Sequence, residues 1–198
     1  MTHLFTSKHL LASLLYPAFQ LGDRLSQRLV QFWSYAWLNA HLKKIDSSTI
    51  ILGKPDIHGT RQITIGKRNY LYRGLHLETQ EYGCIAIGDD VVISRGVHIV
   101  SYAHIEIGDG SMIGEYTSLR DANHQFGHNQ AIRHSGHIAK PICIGRNVWI
   151  GRGVTILPGI MIGDNAIVGA NAVVTHDIPE SAVVAGIPAR PLHSEVAV

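Results

Sequence analysis

The chain has 198 residues, 45% of them hydrophobic and 16% charged, which suits one domain with an appendage and excludes a disordered polypeptide. Its formal charge of +2 is too small and too scattered for a nucleic-acid surface, but it accommodates an anionic cofactor. Cys84 and Cys143 are the only cysteines and lack CxxC or zinc-ligand spacing, so they read as small buried hydrophobes in a reducing compartment, with no metal site expected.

Residues 1–48 read as an amphipathic helical arm. Lys8 and His9 precede the apolar run Leu10 to Phe19, but the charge ahead of it is weak and no small-residue cleavage site follows, so a secretion signal is not expected. No stretch reaches the roughly 18 uncharged apolar residues that span a bilayer. From Leu10 to about Leu42 the residues Leu10, Leu14, Ala18, Leu25, Leu29, Phe32, Trp33, Ala36, Trp37 and Ala40 recur at helical steps. Pro17 and Gly22 interrupt that pattern and predict two helices joined near residues 17–23. The aromatic cluster Phe32, Trp33, Tyr35 and Trp37, flanked by Arg24, Arg28, Lys43 and Lys44, leaves two readings open. One is a face packed on the rest of the protein or on a neighbouring subunit; the other is a helix lying on a membrane surface.

From residue 49 to 192 the period changes. Every sixth residue from Ile144 is a branched aliphatic: Ile144, Ile150, Ile156, Ile162, Val168 and Val174. Ile87, Ile93, Ile99 and Ile105 form an earlier run, and Ile107, Ile113 and Leu119 follow after a two-residue shift. Earlier still, Ile51, Ile57 and Ile63 lead into Ile65, Leu71 and Leu77. Six residues make one short strand plus a corner, three such units make a coil of about 18 residues, and stacked coils bury an aliphatic column that no single coil buries alone. Glycine follows the aliphatic at Gly66, Gly88, Gly108, Gly114, Gly145, Gly151, Gly163 and Gly169, where a bending backbone is expected to want positive φ. By alternation, His98 and His104 point outward beside the inward Ile99 and Ile105. Residues 120–141 lose the repeat altogether, and a loop of about 20 residues inside so regular a solid is usually functional.

The stretch IGRNVWIGRGVTILPGIMIGDNAIVGANAVVTHDIPESAVVAGIPARPL, from Ile144 to Leu192, resembles the hexapeptide-repeat O-acetyltransferases. Within them it is most similar to the lipopolysaccharide and exopolysaccharide enzymes and the maltose, galactoside and nodulation acetyltransferases; the resemblance covers roughly residues 50–192. It implies an all-β fold: a left-handed parallel β-helix with the helical arm at its N-terminus, the loop 120–141 extruded from it, and a short tail at 193–198. It also implies a cytoplasmic homotrimer with acetyl-CoA in the groove between neighbours.

In Asp121-Ala122-Asn123-His124, His124 matches the family's general base and lies 25 residues before Trp149. An alcohol attacks a thioester slowly unless its proton is removed during attack, and neutral imidazole suits that task. Asp121 is expected to orient that ring or bind the acceptor hydroxyl, with Asn123 and Ser94 as acceptor contacts; Ser94 stands where the family carries an Asn. His128, His134 and His137 are rival loop histidines, read as polar contacts, and His98 and His104 are candidates for lining a neighbour's groove.

For acetyl-CoA the resemblance implies Trp149 near the thioester, Gly151 and Arg152 by backbone contact, Ala170 and Thr175 along the pantetheine, and Arg190 near the phosphates. His176 stands where a family Lys touches phosphate. A backbone N–H near Arg152 is the expected oxyanion donor. The acceptor is a sugar or glycan precursor, an amphipathic arm suits peripheral contact with the inner face of the cell membrane, and no metal is required. Two alternatives remain: a catalytically inactive β-helix scaffold, and a metalloenzyme like the γ-type carbonic anhydrases, whose three His ligands the thirteen histidines here would supply.

Overall fold

The computed structural model describes residues 2–42, 45–126 and 131–192, the side chains of 2–7 and 10 excepted. Lys43, Lys44, His128, the Leu10 side chain and the tail 193–198 lie outside the described residues.

The six-residue period folds as it reads, into a left-handed parallel β-helix with three flat faces. The first face stacks Ile50–Ile51, Tyr70–Leu71, Val92–Ile93, Met112–Ile113, Trp149–Ile150, Ile167–Val168 and Val183–Ala185 in order, and Arg190–Pro191 turns back along the last of them. The second carries Asp56–Gly59, His76–Thr79, His98–Ser101, Ser118–Arg120, Thr155–Ile156 and Val173–Val174. The third carries Ile63–Ile65, Cys84–Ile87, His104–Ile107, Ile142–Ile144 and Met161–Ile162.

Register is kept coil after coil, so that Ile93, Ile113, Ile150 and Val168 stack in one ladder. The column is dry: Ile144, Ile150, Ile156, Ile162, Val168 and Val174 are each at most 2% exposed. Ile57 is only half-buried because its strand ends the second face and has a neighbour on one side alone.

The glycines after the aliphatics do a different job from the one expected. None of the eight has positive φ. A Cβ at Gly108 would stand 2.5 Å from the Gly145 oxygen, and one at Gly114 would stand 2.5 Å from the Gly151 carbonyl carbon. These positions are glycine because the next coil lies against them, with its backbone at Gly108 and Gly114 and with an aspartate carboxylate foremost at Gly66, Gly88 and Gly145. Left-handed backbone falls elsewhere in the turns, including at Asn147, Asn165 and Asn171, with φ of 53°, 60° and 57°.

The arm is one helix, α1 (Thr2–Leu42), with Pro17 inside it, and not two helices. A single Pro costs about 3 kcal/mol and a Gly about 1 kcal/mol in a helix, enough to weaken it without forcing a turn. Nothing lies within 4 Å of the space beside Gly22, so no tertiary contact demands a break. Ser26 Oγ donates to the Asp23 carbonyl at 2.9 Å, as in a continuous helical turn. Only the C-terminal end of α1 packs on the prism: Leu38 is fully buried, Tyr35 donates to the Ile45 carbonyl at 3.0 Å, and Lys54 lies over the Trp37 ring. Phe32 and Trp33 stay 67% and 70% exposed, so the aromatic cluster divides between a packed part and an open part.

Candidate active site

The repeat breaks at the corner between the second and third faces. After Ser118–Arg120 the chain leaves the prism as an antiparallel hairpin, Ala122–His124 against His137–Ala139, with a 3-10 turn at Ile132–His134, and rejoins at Ile142–Ile144. His124 sits opposite His137, their ring centroids 4.3 Å apart, and Tyr102 from the coil below stacks on His137 at 4.4 Å. The His124 side chain is exposed at the head of this three-ring pile. Ser135 Oγ donates to the carbonyls of Gln125 and Ile132, tying the far side of the loop to its near strand.

Asp121 is fully buried and turned inward to the prism. Its carboxylate accepts from Ser101 Oγ at 2.8 Å, Tyr102 N at 2.7 Å and Ala103 N at 2.9 Å. Three donors occupy its two oxygens. Asp121 therefore fixes the corner from which the hairpin springs, in place of the expected contact with the His124 ring. Asn123 is exposed on the hairpin opposite Ile138.

A second locus lies along the edge between the first and second faces. Ser94, Trp149, Gly151, Arg152 and Ala170 line one cleft of about 560 Å³, joined by Met112 and Glu115. Trp149 is 56% exposed and Met112, its ladder neighbour, 50%. The glycine rule of the fold explains the groove: coils meet backbone to backbone at Gly114 and Gly151, which leaves a channel without side chains. Arg152 rests over the Tyr116 ring at 5.6 Å. The N–H groups of Gly151 and Gly153 donate to Val168 and Glu115, while the Arg152 N–H has no acceptor among the described residues.

The expected residues thus separate into groups. Five share the cleft. His124, Asn123 and Asp121 lie at the next corner, one whole prism side away, and Thr175 follows Val173–Val174 along that same corner, hydrogen-bonded to His176 at 2.9 Å. Arg190 stands exposed on the turned-back strand, its guanidinium donating to the Ala189 carbonyl at 3.1 Å. One chain alone does not bring the imidazole to the cleft. Met112 and Tyr102 went unsingled from sequence; carrying the aliphatic register across the loop, Ile113 to Ile150, finds Met112, but only the hairpin's direction reveals Tyr102.

Of the rival histidines, His134 is exposed in the 3-10 turn, and His104 lies on the third face with Cys84 Sγ 3.0 Å from its Nδ1. His98 stacks on His76 at 4.2 Å; burial first, then the positive charges of His76 and Arg120, push its imidazole below the usual range.

Comparison with known proteins bears on the repeat and the fold. The model of the bacterial transferase hexapeptide (six repeats) matches residues 144–176. The probable acetyltransferase Rv3034c of Mycobacterium tuberculosis is 32% identical over 170 residues, 82% of this chain, and the chain spans 56% of that relative's length. The hexapeptide-repeat containing acetyltransferase VCA0836 of Vibrio cholerae is 28% identical with a TM-score of 0.59, covering 93% of this chain and 92% of that one. AntD of Bacillus cereus, an N-acyltransferase solved with coenzyme A and dTDP-4-amino-4,6-dideoxyglucose, shares the fold at 19% identity and a TM-score of 0.69, over 80% and 87% of the two chains. Over residues 144–176 the chain carries the bacterial transferase hexapeptide repeat, and over most of its length it is similar to hexapeptide-repeat acetyltransferases.

Proposed function

We propose that this chain is an acetyl-CoA-dependent O-acetyltransferase acting on a hydroxyl of a sugar or glycan precursor of the surface-polysaccharide type. The observation that carries the reading is an exposed imidazole raised on a braced hairpin, one prism side from a cleft with a bare backbone floor. VCA0836 has been solved with acetyl coenzyme A, which supports the same donor here. Acetyl-CoA lies along the cleft, its thioester beside Trp149 and its pantetheine over Gly151 and Ala170. Arg190 marks its further course toward the phosphates, and Thr175, at the His124 corner, meets it from the neighbouring copy.

The acceptor oxygen attacks the thioester carbonyl while neutral His124 takes its proton. The Arg152 N–H steadies the tetrahedral oxyanion. Collapse breaks the carbon–sulfur bond, and the imidazolium returns the proton to the departing thiolate, leaving an acetyl ester and free CoA. Ser94 and Asn123 contact the acceptor.

Because imidazole and cleft stand at different corners, the working unit in this reading is a homotrimer in which the hairpin of one copy reaches the cleft of the next. Acetyl-CoA and a panel of sugars and nucleotide sugars, assayed by thiol release and mass spectrometry, test it. A product acetyl group lost in mild alkali is the expected ester; acetylation of amino sugars alone would refute O-transfer.

A second reading concerns α1, and its open stripe favours it. No helix among the described residues is long and apolar enough to cross a membrane. Leu14, Leu25, Leu29, Phe32 and Trp33 are 54–72% exposed on a stretch whose basic residues Lys8, Arg24 and Arg28 face one acid, Asp23. An apolar stripe with basic flanks supports binding to an anionic lipid surface; in this reading the enzyme works at the inner face of the cell membrane, beside a lipid-linked acceptor. Co-sedimentation with phosphatidylglycerol vesicles, absent with phosphatidylcholine alone and lost in Phe32→Ser/Trp33→Ser, is the expected result; no sedimentation with either lipid refutes it.

A further inference from the structure

The second face carries, near its N-terminal end, a cluster that acyl transfer does not use. Asp56, His58 and His76 offer one ligand atom each, all within 4.8 Å of one another. The Asp56 carboxylate bridges two rings, with Oδ1 2.9 Å from His58 Nε2 and Oδ2 3.0 Å from His76 Nδ1. On the opposite side of the His76 ring, Nε2 lies 3.3 Å from Glu78 Oε2, and Gln80 holds Glu78 through a 2.9 Å hydrogen bond to Oε1. His98 lies flat against His76 at 4.2 Å with 6° between planes, which fixes the ring's tilt.

We propose that Asp56, His58 and His76 bind a divalent transition-metal ion, with Glu78 as the carboxylate that orients His76. The donor count here is met by a positive charge, either a second proton on His76 or a bound cation, and the convergence of His58 on the same Asp56 carboxylate favours the cation. A neutral imidazole has one N–H, and His76 faces a carboxylate from each nitrogen. When the N–H is donated to Glu78, the Nδ1 lone pair points at the Asp56 oxygen, a repulsion that a cation between them turns into two bonds. That is the carboxylate–histidine–metal arrangement, in which the outer acid sets the tautomer of the ligating ring.

Two imidazoles and a carboxylate suit zinc, cobalt or nickel better than calcium or magnesium. Metal–ligand distances of about 2.1 Å put tetrahedral donors about 3.4 Å apart, which the two Asp56 contacts of 2.9 and 3.0 Å approach, and the 4.8 Å bound on the whole set asks side-chain rotation to bring in the rest. Three protein ligands leave one position open for water or an exchangeable group. The inference is independent of the acyl-transfer reading, in which no residue of this cluster takes part.

Cobalt(II) chloride titrated into chelator-treated, full-length protein without a histidine tag tests it, read by calorimetry and by the visible absorption of four-coordinate cobalt. One equivalent per chain is expected. Asp56→Asn and His76→Ala abolish the absorption while their circular dichroism melts stay cooperative, and Glu78→Gln weakens binding about 10- to 100-fold. His104→Ala leaves binding unchanged: its neighbours Cys84 and Glu106 stand on opposite ring nitrogens and cannot share one ion with it. Absence of binding, or binding that survives His76→Ala or is lost in His104→Ala, overturns the site. Unchanged affinity in Glu78→Gln overturns the orienting role.

Discussion

Ser101 and Asp121, 20 residues apart in the chain, share a 2.8 Å hydrogen bond at a point where both are fully buried. The same carboxylate holds the backbone N–H groups of residues 102 and 103, so one side chain joins the coil below to the root of the hairpin that carries His124. Replacing it leaves the part-buried N–H groups of Tyr102 and Ala103 without their acceptor, at about 1–3 kcal/mol each, while Ser101 Oγ keeps the Cys84 carbonyl at 3.0 Å. Asp121→Ala is therefore expected to lower Tm and kcat together, and Asp121→Asn to do so less. A variant with intact Tm and only a raised KM would instead make Asp121 an acceptor contact.

His124→Ala is expected to reduce kcat about 100-fold or more, the scale of a lost general base. Acetyl-CoA affinity, measured by calorimetry, stays as it was, because in the proposed reading the donor is held by Trp149, Gly151, Ala170 and Arg190 and the imidazole acts on the acceptor proton. His137→Ala disturbs the stacking without removing the base and should cost less activity. Equal losses in the two would contradict the assignment of the base to His124.

Gly108→Ala tests the backbone contact between coils. Its Cβ would sit 2.5 Å from the Gly145 oxygen and 2.6 Å from the Gly145 carbonyl carbon, atoms that cannot rotate away. Overpacking of this kind costs about 1–3 kcal/mol or more. A thermal melt unchanged from wild type would show that the coils have slack there.

Cys143 is held above the usual thiol range, by burial first and the negative charge of Glu106 second. A raised pKa means less thiolate at any given alkaline pH. In a Cys84→Ser background, alkylation should therefore lag behind a free thiol and keep accelerating above the range where a free thiol has levelled off. Glu106→Gln removes the smaller cause and should shift that curve down in pH only modestly.

Arg190 is exposed, and its guanidinium makes only a local bond to the Ala189 carbonyl, which leaves further donors for phosphate. Arg190→Ala is expected to weaken CoA binding about 10-fold or more, on the scale of one charged hydrogen bond, while kcat at saturation holds. An unchanged dissociation constant would remove it from the CoA site.

The aliphatic columns were legible because their burial repeats every coil and a side chain there has one neighbour type, so Ile144 to Val174 could be assigned without knowing the fold's details. The cleft residues were legible through resemblance, as five of them share one groove. What the sequence hid depends on direction and partnership. Gly66 and its seven equivalents look like turn residues, yet their role lies in the next coil, as at Gly108, whose Cβ would meet Gly145 beyond the intervening loop. Asp121 beside a candidate base looks catalytic until the inward turn of its side chain is seen. Pro17 looks like a helix end, but nothing outside the helix takes advantage of the weakness. The Asp56–His76 pair escaped notice since the two are 20 residues apart and only coil stacking makes them adjacent.

The strand Arg190–Pro191 runs antiparallel to Val183–Ala185 at the end of the first face, whereas the preceding ladders of that face are parallel. An open edge of this kind invites a second molecule to continue the stack, and a reversed strand offers it the wrong alternation of N–H and C=O groups. At the other end, α1 packs against Ile50–Ile51. The first face is thus covered at both ends, and concentrated solutions should hold discrete particles and no growing fibres.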